Sequence, residues 1–230
     1  MDTPIQAWIL PVCQLAAFWV AVLMYRGEFP LRFVLGLGLG ALLARLGWGL
    51  LHWPQLFPFV WPPAGGLEGV RSLLQWFLPG SGFSLLFVPL GPLLVVPWRR
   101  GIGVCTRFGA AAGRSLAPAF AVARLGCVLA GCCPGLPMDA AVGGRPLYPT
   151  ALCELLGWGL TSLLVARVPD HRVPGLLLLA FGGLRLITEP WRAPPPLGDP
   201  VIDPGWIAVA WFAAGLGLAR TRPEPSRLQA

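Results

Sequence analysis

The sequence predicts an all-α integral membrane protein, and three observations lead to that class. Apolar residues make up 56% of the 230 residues and charged residues only 12%, about half the ~25% of a typical soluble domain. The mean hydropathy is +0.69. Apolar stretches recur along the whole chain, so we expect one polytopic membrane domain over residues 1–230. This composition excludes a cytosolic enzyme, a disordered chain and a small secreted disulfide-linked domain.

Seven stretches are candidates for transmembrane helices. A helix that crosses the hydrocarbon core needs roughly 20 mainly apolar residues. We expect the first stretch to be a span rather than a signal peptide, because no basic segment precedes it and no small-residue cleavage site follows it. The predicted spans are residues 8–25, 33–51, 81–98, 115–132, 150–166, 174–189 and 206–219.

The arginines between these stretches predict how the chain crosses the membrane. The chain has no lysine, and no basic run is longer than two residues, which argues against nucleic-acid binding. Cytoplasmic loops collect basic residues, and here alternate loops differ strongly in their arginine content. One set of loops holds Arg26, Arg32, Arg99, Arg100, Arg107, Arg167, Arg172, Arg220, Arg222 and Arg227, and the other holds Arg71, Arg145 and Arg192. This alternation predicts an N-terminus outside and a C-terminus in the cytoplasm.

Glycines in the second span predict close packing. Gly36, Gly38 and Gly40 do not have the spacing of a dinucleotide-binding loop. Small residues four positions apart, here Gly36 and Gly40, lie on one helix face and let a neighbouring segment approach closely. We therefore expect another part of the chain to pack against this face.

The segment between the second and third spans predicts an interfacial arm. Residues 53–67 contain four prolines, which exclude a regular helix, and aromatic residues that suit the membrane–water interface. Apolar residues then recur with helical spacing at 70, 73, 74 and 77, as in a short helix that lies in the interface. A poorly ordered loop is the alternative.

Five charged residues lie at membrane depth, where charges are costly. Arg124 is near the middle of the fourth span, where an arginine costs about 2.5–3.5 kcal/mol or more and normally faces a partner or a wet cavity. Arg185 and Glu189 are four residues apart and can pair on one helix face. Arg45 and Glu154 lie in the outer halves of their spans. Three arginines against two glutamates suit an anion from the outer leaflet, such as a phospholipid head group. Internal ion pairing without a ligand is the alternative.

Three of the six cysteines lie close together in the sequence, at Cys127, Cys132 and Cys133. The chain has no C-x-x-C motif and only two histidines, so a zinc site is poorly supplied with ligands. Helix packing, a disulfide at the outer face, and metal or redox chemistry all remain possible roles for these thiols.

Three segments resemble the motifs of one enzyme family. Residues 124–135, RLGCVLAGCCPG, resemble the signature of prolipoprotein diacylglyceryl transferases, roughly R-[IL]-G-N-F-x-N-G-x-x-x-G, and more closely a divergent form, R-[IL]-G-C-F-x-x-G-C-C-x-G. Residues 148–154, YPTALCE, are similar to the family's H-P-T-Q-L-Y-E, and residues 184–192, LRLITEPWR, to its F-R-x-x-x-E-x-x-R. The motifs follow in the family's order, and the resemblance covers residues 80–220.

The resemblance implies a reaction at the outer face of the bacterial inner membrane. The diacylglyceryl group of phosphatidylglycerol would move to the lipobox cysteine of a preprolipoprotein, with no metal and no organic cofactor. Arg124 and Arg185 would bind or orient the head group, and Glu189 would hold Arg185. The other expected substrate-binding residues are Gly126, Cys127, Gly131, Gly135, Glu154, Arg192 and, from its depth and charge, Arg45.

The chain departs from the family at the usual candidate base. Family members carry a histidine in an H-G-G-type segment near the third span, whereas residues 80–87 here read GSGFSLLF. Of the two histidines, His171 falls in an inner loop, and His52, at the outer end of the second span, could substitute. The alternative function is therefore a non-catalytic membrane paralogue that binds anionic phospholipid or assists export. Thiol redox chemistry is a third hypothesis.

Overall fold

The computed structural model describes residues 4–51, 87–131, 135, 149–192 and 203–220. Over these residues the protein is all-helical and has no strand, which confirms the all-α part of the prediction. The predicted interfacial arm at 53–67 and the helix after it lie outside the described residues. The α-helices are α1 Pro4–Met24, α2 Pro30–Leu51, α3 Leu90–Leu94, α4 Ile102–Ala130, α5 Thr150–Arg167, α6 Val173–Thr188 and α7 Pro204–Arg220.

Five predicted spans match α1, α2, α5, α6 and α7 to within about four residues, because the sequence of each is mainly apolar over about the length of a membrane-spanning helix. Three segments of the described chain are long and apolar enough to cross a membrane: Pro30–Gly47, Ile102–Ala130 and Asp170–Trp191. Pro11–Met24 is a shorter apolar helix. By length and composition, the described chain is therefore compatible with a polytopic membrane protein.

The prediction of one continuous helix over 81–98 is wrong in its described part. Between residues 87 and 98 the α-helix is limited to the five residues of α3, because Pro89, Pro92 and Pro97 interrupt the backbone hydrogen bonding. The broken segment still runs antiparallel to α2. Its α3 portion lies so close to Gly36 and Gly40 that a Cβ on Gly91 would overlap the backbone of both. The predicted close packing at this face of α2 is thus confirmed.

The fourth predicted span begins too late, because α4 starts at Ile102 rather than at residue 115. Arg107, expected in a loop, lies on α4 and pairs with Glu28 at 2.9 Å. Arg114 donates to the backbone oxygens of Val165 and Val168 and pairs with Asp170 at 2.7 Å. Both guanidinium groups have partners on neighbouring segments of the same chain, so the alanine-rich helix can include these two charges. Its 29 residues span about 43 Å, more than a ~30 Å hydrocarbon core.

The helices alternate in direction, so the bundle has two chemically different ends. Along α4, Phe108 packs against Tyr25 just after the end of α1, Arg114 meets the end of α5, and Gly126 meets Cys13 in the middle of α1. We call one end the arginine-rich end. Its basic residues are Arg26, Arg32, Arg99, Arg100, Arg107, Arg114, Arg167, Arg172 and Arg220.

Aromatic packing fixes the register of the three central helices. Phe120 of α4, Trp158 of α5 and Phe181 of α6 form a triangle with ring centroids 4.6, 5.4 and 5.7 Å apart. All three are buried. Rings at these separations add favourable contact beyond simple burial. Arg124 lies four residues beyond Phe120 on α4, and the same register places it beside Glu154 of α5.

Candidate functional site

Glu154 is the centre of a buried group of charges at the end away from the arginine-rich end. Its residue is only 2% exposed. One carboxylate oxygen, Oε2, lies 2.5 Å from Nε of Arg124. The other, Oε1, contacts the guanidinium of Arg192 and accepts a hydrogen bond from the Thr188 hydroxyl at 2.9 Å. Glu154 therefore joins α4, α5 and the end of α6.

Arg185 and Glu189 form the second half of the group. Nε of Arg185 lies 2.6 Å from Oε2 of Glu189, so the predicted pairing four residues apart is confirmed. Arg192 is 3.9 Å from the same carboxylate oxygen and also contacts Glu154. It thereby links the two glutamates. We call Arg124, Glu154, Arg185, Glu189 and Arg192 the ion-pair cluster.

The sequence after α6 explains how Arg192 reaches this cluster. α6 ends at Thr188, and a 3-10 turn follows at Glu189–Trp191. Pro190 within the turn has no N–H to donate, so the α-helical hydrogen bonding stops there. The chain then becomes extended at Arg192, which forms a backbone bridge with Gly135. All three motif segments meet at this point.

The ion-pair cluster has more positive than negative charge. It contains three arginines and two glutamates, a formal surplus of one positive charge. The side chains of Arg124 and Glu154 are 9% and 3% exposed, whereas those of Arg185 and Glu189 are 19% and 26% exposed. The Arg185–Glu189 pair is therefore the more exposed of the two. Away from water, a surplus charge attracts an anion more strongly than a surface arginine does.

Three predicted site residues have other surroundings. Arg45 is buried on α2, which among the described helices packs mainly against α3, and no ion pair between described residues links it to the ion-pair cluster. Gly126 faces α1: a Cβ there would be 2.4 Å from Cβ of Cys13, so this glycine permits close packing of α1 and α4. Gly131 ends α4 in the left-handed conformation, with φ of 64°. Contact of these residues with a substrate stays a prediction.

Cys127 lies beside the cluster. Its buried thiol accepts a hydrogen bond from Nη1 of Arg124 with a donor–acceptor distance of 3.8 Å. Cys13, Cys105 and Cys153 are likewise free thiols. Within the described ranges, no three histidine, cysteine or acidic side chains are close enough to hold a metal ion. Cys132 and Cys133 lie outside the described residues.

Neither histidine belongs to the described part of this site. His171 lies in the 3-10 turn Asp170–Arg172, which follows the far end of α5 from Glu154. The 18 residues of α5 make that helix about 27 Å long. His52 is outside the described residues.

The sequence reasoning missed Thr188. It is 1% exposed, and its hydroxyl oxygen lies 2.9 Å from both Oε1 of Glu154 and the backbone oxygen of Leu184, so its one hydrogen is shared between these two acceptors. Its position three residues after Arg185, on the same face of a very apolar helix, was the available signal.

The described chain is helical, holds three helices long and apolar enough to cross a membrane, and brings a buried, net-positive group of charges together at one end. In comparisons with known proteins, neither a protein-family model nor a curated protein matches the chain. The resemblance to the diacylglyceryl transferases therefore depends on the three sequence motifs and on what the structure brings together.

Proposed function

We propose that this protein transfers the diacylglyceryl group of phosphatidylglycerol to the cysteine thiol of a preprolipoprotein. One observation carries the proposal. The charged residues of three separate motifs meet in one cluster: Arg124 from the first, Glu154 from the second, and Arg185, Glu189 and Arg192 from the third. Charges buried within a membrane protein are costly and usually mark a functional site.

The surplus positive charge suits the leaving group of this reaction. The substrate thiol attacks the glycerol carbon that carries the phosphate ester. A C–S bond forms at this carbon, and the bond between it and the bridging phosphate oxygen breaks. The electron pair of that bond leaves on glycerol phosphate. Arg185 is the more exposed arginine of the two buried pairs and would bind the phosphate. Arg124 is more deeply buried and would add a second positive charge to the site. Donors already positioned where charge develops lower the barrier.

The thiol proton can go to the leaving group. A phosphodiester carries one negative charge, and its departure creates a phosphomonoester whose second pKa is about 6. This dianion is a far better proton acceptor than the starting diester. Glu189 and Glu154 then remain ionised partners of the arginines, and the reaction needs no histidine in the cluster.

We also propose the orientation of the chain. The arginine-rich end would face the cytoplasm of a bacterium, and the ion-pair cluster would lie near the outer leaflet of the inner membrane. Support comes from the arginine distribution and from the alternating helix directions. The broken segment at 87–98 would complete the third of seven crossings.

The test mixes purified protein with phosphatidylglycerol and a lipobox peptide and detects the diacylglyceryl adduct by mass spectrometry. The wild type should form the adduct, and Arg185→Gln should reduce its rate at least 100-fold, as loss of a positioned charge at a transition state does. Arg167→Gln removes an exposed arginine at the arginine-rich end and should leave the rate unchanged. No adduct from folded wild-type protein would refute the transferase.

The non-catalytic alternative has one observation in its favour. Neither histidine lies among the described residues of the cluster, although the related motifs normally accompany one. A paralogue of this kind would still bind phosphatidylglycerol, lose that binding in Arg185→Gln, and give no adduct. Binding and transfer measured on the same preparations therefore separate the two functions.

A further inference from the structure

A second concentration of positive charge lies at the arginine-rich end, remote from the ion-pair cluster. Arg32, Arg99 and Arg100 line an open cleft of about 500 Å³, together with Val96, Pro97 and Trp98. No carboxylate is among these lining residues. The neighbouring arginines differ, because Arg107 pairs with Glu28 and Arg114 with Asp170.

One aromatic ring holds two of these like charges near each other. The guanidinium carbon of Arg100 lies 5.1 Å from the ring centroid of Phe29, and that of Arg32 lies 5.8 Å from it. Each cation is attracted by the ring, which offsets part of their mutual repulsion. Arg32 also donates to the backbone oxygen of Val95 at 3.5 Å. The folded chain thus holds two guanidinium groups against one ring at the edge of the cleft.

Exposed apolar side chains adjoin these charges. Trp98, in the 3-10 turn that contains Arg99 and Arg100, is 65% exposed, and Ile102 at the start of α4 is 79% exposed. Tryptophan is enriched where acyl chains meet head groups. An occupant that matches both features needs an anionic group beside an apolar part.

We propose that this cleft binds the phosphate of an anionic phospholipid in the leaflet at the arginine-rich end. Guanidinium groups bind phosphate oxygens in a bidentate manner, and the cleft offers three of them. About 33 Å of α4, the rise from Ile102 to Arg124, separates this lipid from one at the ion-pair cluster. The site needs no transferase activity and anchors the start of α4 to its leaflet.

The test counts and titrates bound lipid by native mass spectrometry of the full chain. Phosphatidylglycerol and phosphatidylcholine are compared as ligands, and Arg32→Gln/Arg100→Gln is compared with wild type. The double variant should lose one tightly bound phosphatidylglycerol, with its affinity reduced at least 10-fold. Arg167→Gln/Arg220→Gln removes the same charge from exposed positions at the same end and should retain that lipid.

Three outcomes would overturn the proposal. Equal losses in the two double variants would mean that diffuse charge, not the cleft, attracts the lipid. Equal binding of phosphatidylcholine would remove the requirement for an anion. Displacement of the lipid by millimolar free glycerol phosphate would identify a site for soluble phosphates. Arg185→Gln leaves this lipid in place and removes the one at the ion-pair cluster, so the two proposals fail separately.

Discussion

Replacing Glu154 with glutamine should strongly destabilise the protein, because this carboxylate neutralises buried arginines. Its side chain is 3% exposed and lies 2.5 Å from Nε of Arg124, which is 9% exposed. In the variant, Glu189 would be the one carboxylate left among the described residues of the cluster, and the formal surplus of these residues would rise from one positive charge to two. Breaking one partner out of a buried ion pair costs about 3–5 kcal/mol. That is a large part of a typical unfolding free energy of about 5–15 kcal/mol.

The chain offers a matched control in an exposed pair. Glu28 and Arg107 lie 2.9 Å apart with side chains 57% and 55% exposed. Glu28→Gln should therefore lower the unfolding free energy by about 1 kcal/mol or less. Both variants are unfolded by dodecyl sulfate in mixed micelles and followed by tryptophan fluorescence and circular dichroism.

A double-mutant cycle completes this test. In Arg124→Gln/Glu154→Gln both charges are removed, so the loss should be smaller than the sum of the single losses by at least about 1 kcal/mol. Additive losses, or equal losses in Glu154→Gln and Glu28→Gln, would refute the reasoning that Glu154 is the centre of a desolvated cluster.

Two further predictions concern packing and helix termination. Gly182→Ala should lower the unfolding free energy by about 1–3 kcal/mol, because its Cβ would lie 2.4 Å from the backbone oxygen of Ala208. At Gly159, a new Cβ would meet no atom within 4 Å outside its own stretch of helix, so Gly159→Ala should raise the unfolding free energy by up to about 1 kcal/mol. Equal changes in the two variants would contradict the close packing of Gly182 against α7. Arg114→Gln should speed amide exchange in the last turn of α5, whose carbonyl groups it binds. Asp170→Asn leaves the bonds from Arg114 to these carbonyl groups in place and should speed the exchange less. A larger effect of Asp170→Asn than of Arg114→Gln would mean that the salt bridge stabilises this turn.

The sequence by itself determined the class of protein and most of the helices. Hydropathy is a local property, so its variation along the sequence locates α1, α2, α5, α6 and α7. The pairing of Arg185 with Glu189 is local too, since helical geometry places residues four apart on one face. The prolines that break the third predicted span are also visible in the sequence, but the prediction of a continuous helix followed the apolar character of that stretch.

Only the tertiary structure decided which charges meet. Thr188 and Glu154 are 34 residues apart in sequence, and Arg192 and Glu154 are 38 apart. Their contact depends on the register of α5 against α6, which side-chain packing across the bundle sets. Arg45 is a buried arginine like Arg124, yet among the described helices α2 packs mainly on α3, and no ion pair between described residues joins Arg45 to the ion-pair cluster. Residue type and depth give the cost of a buried charge, whereas helix packing decides which opposite charge offsets it.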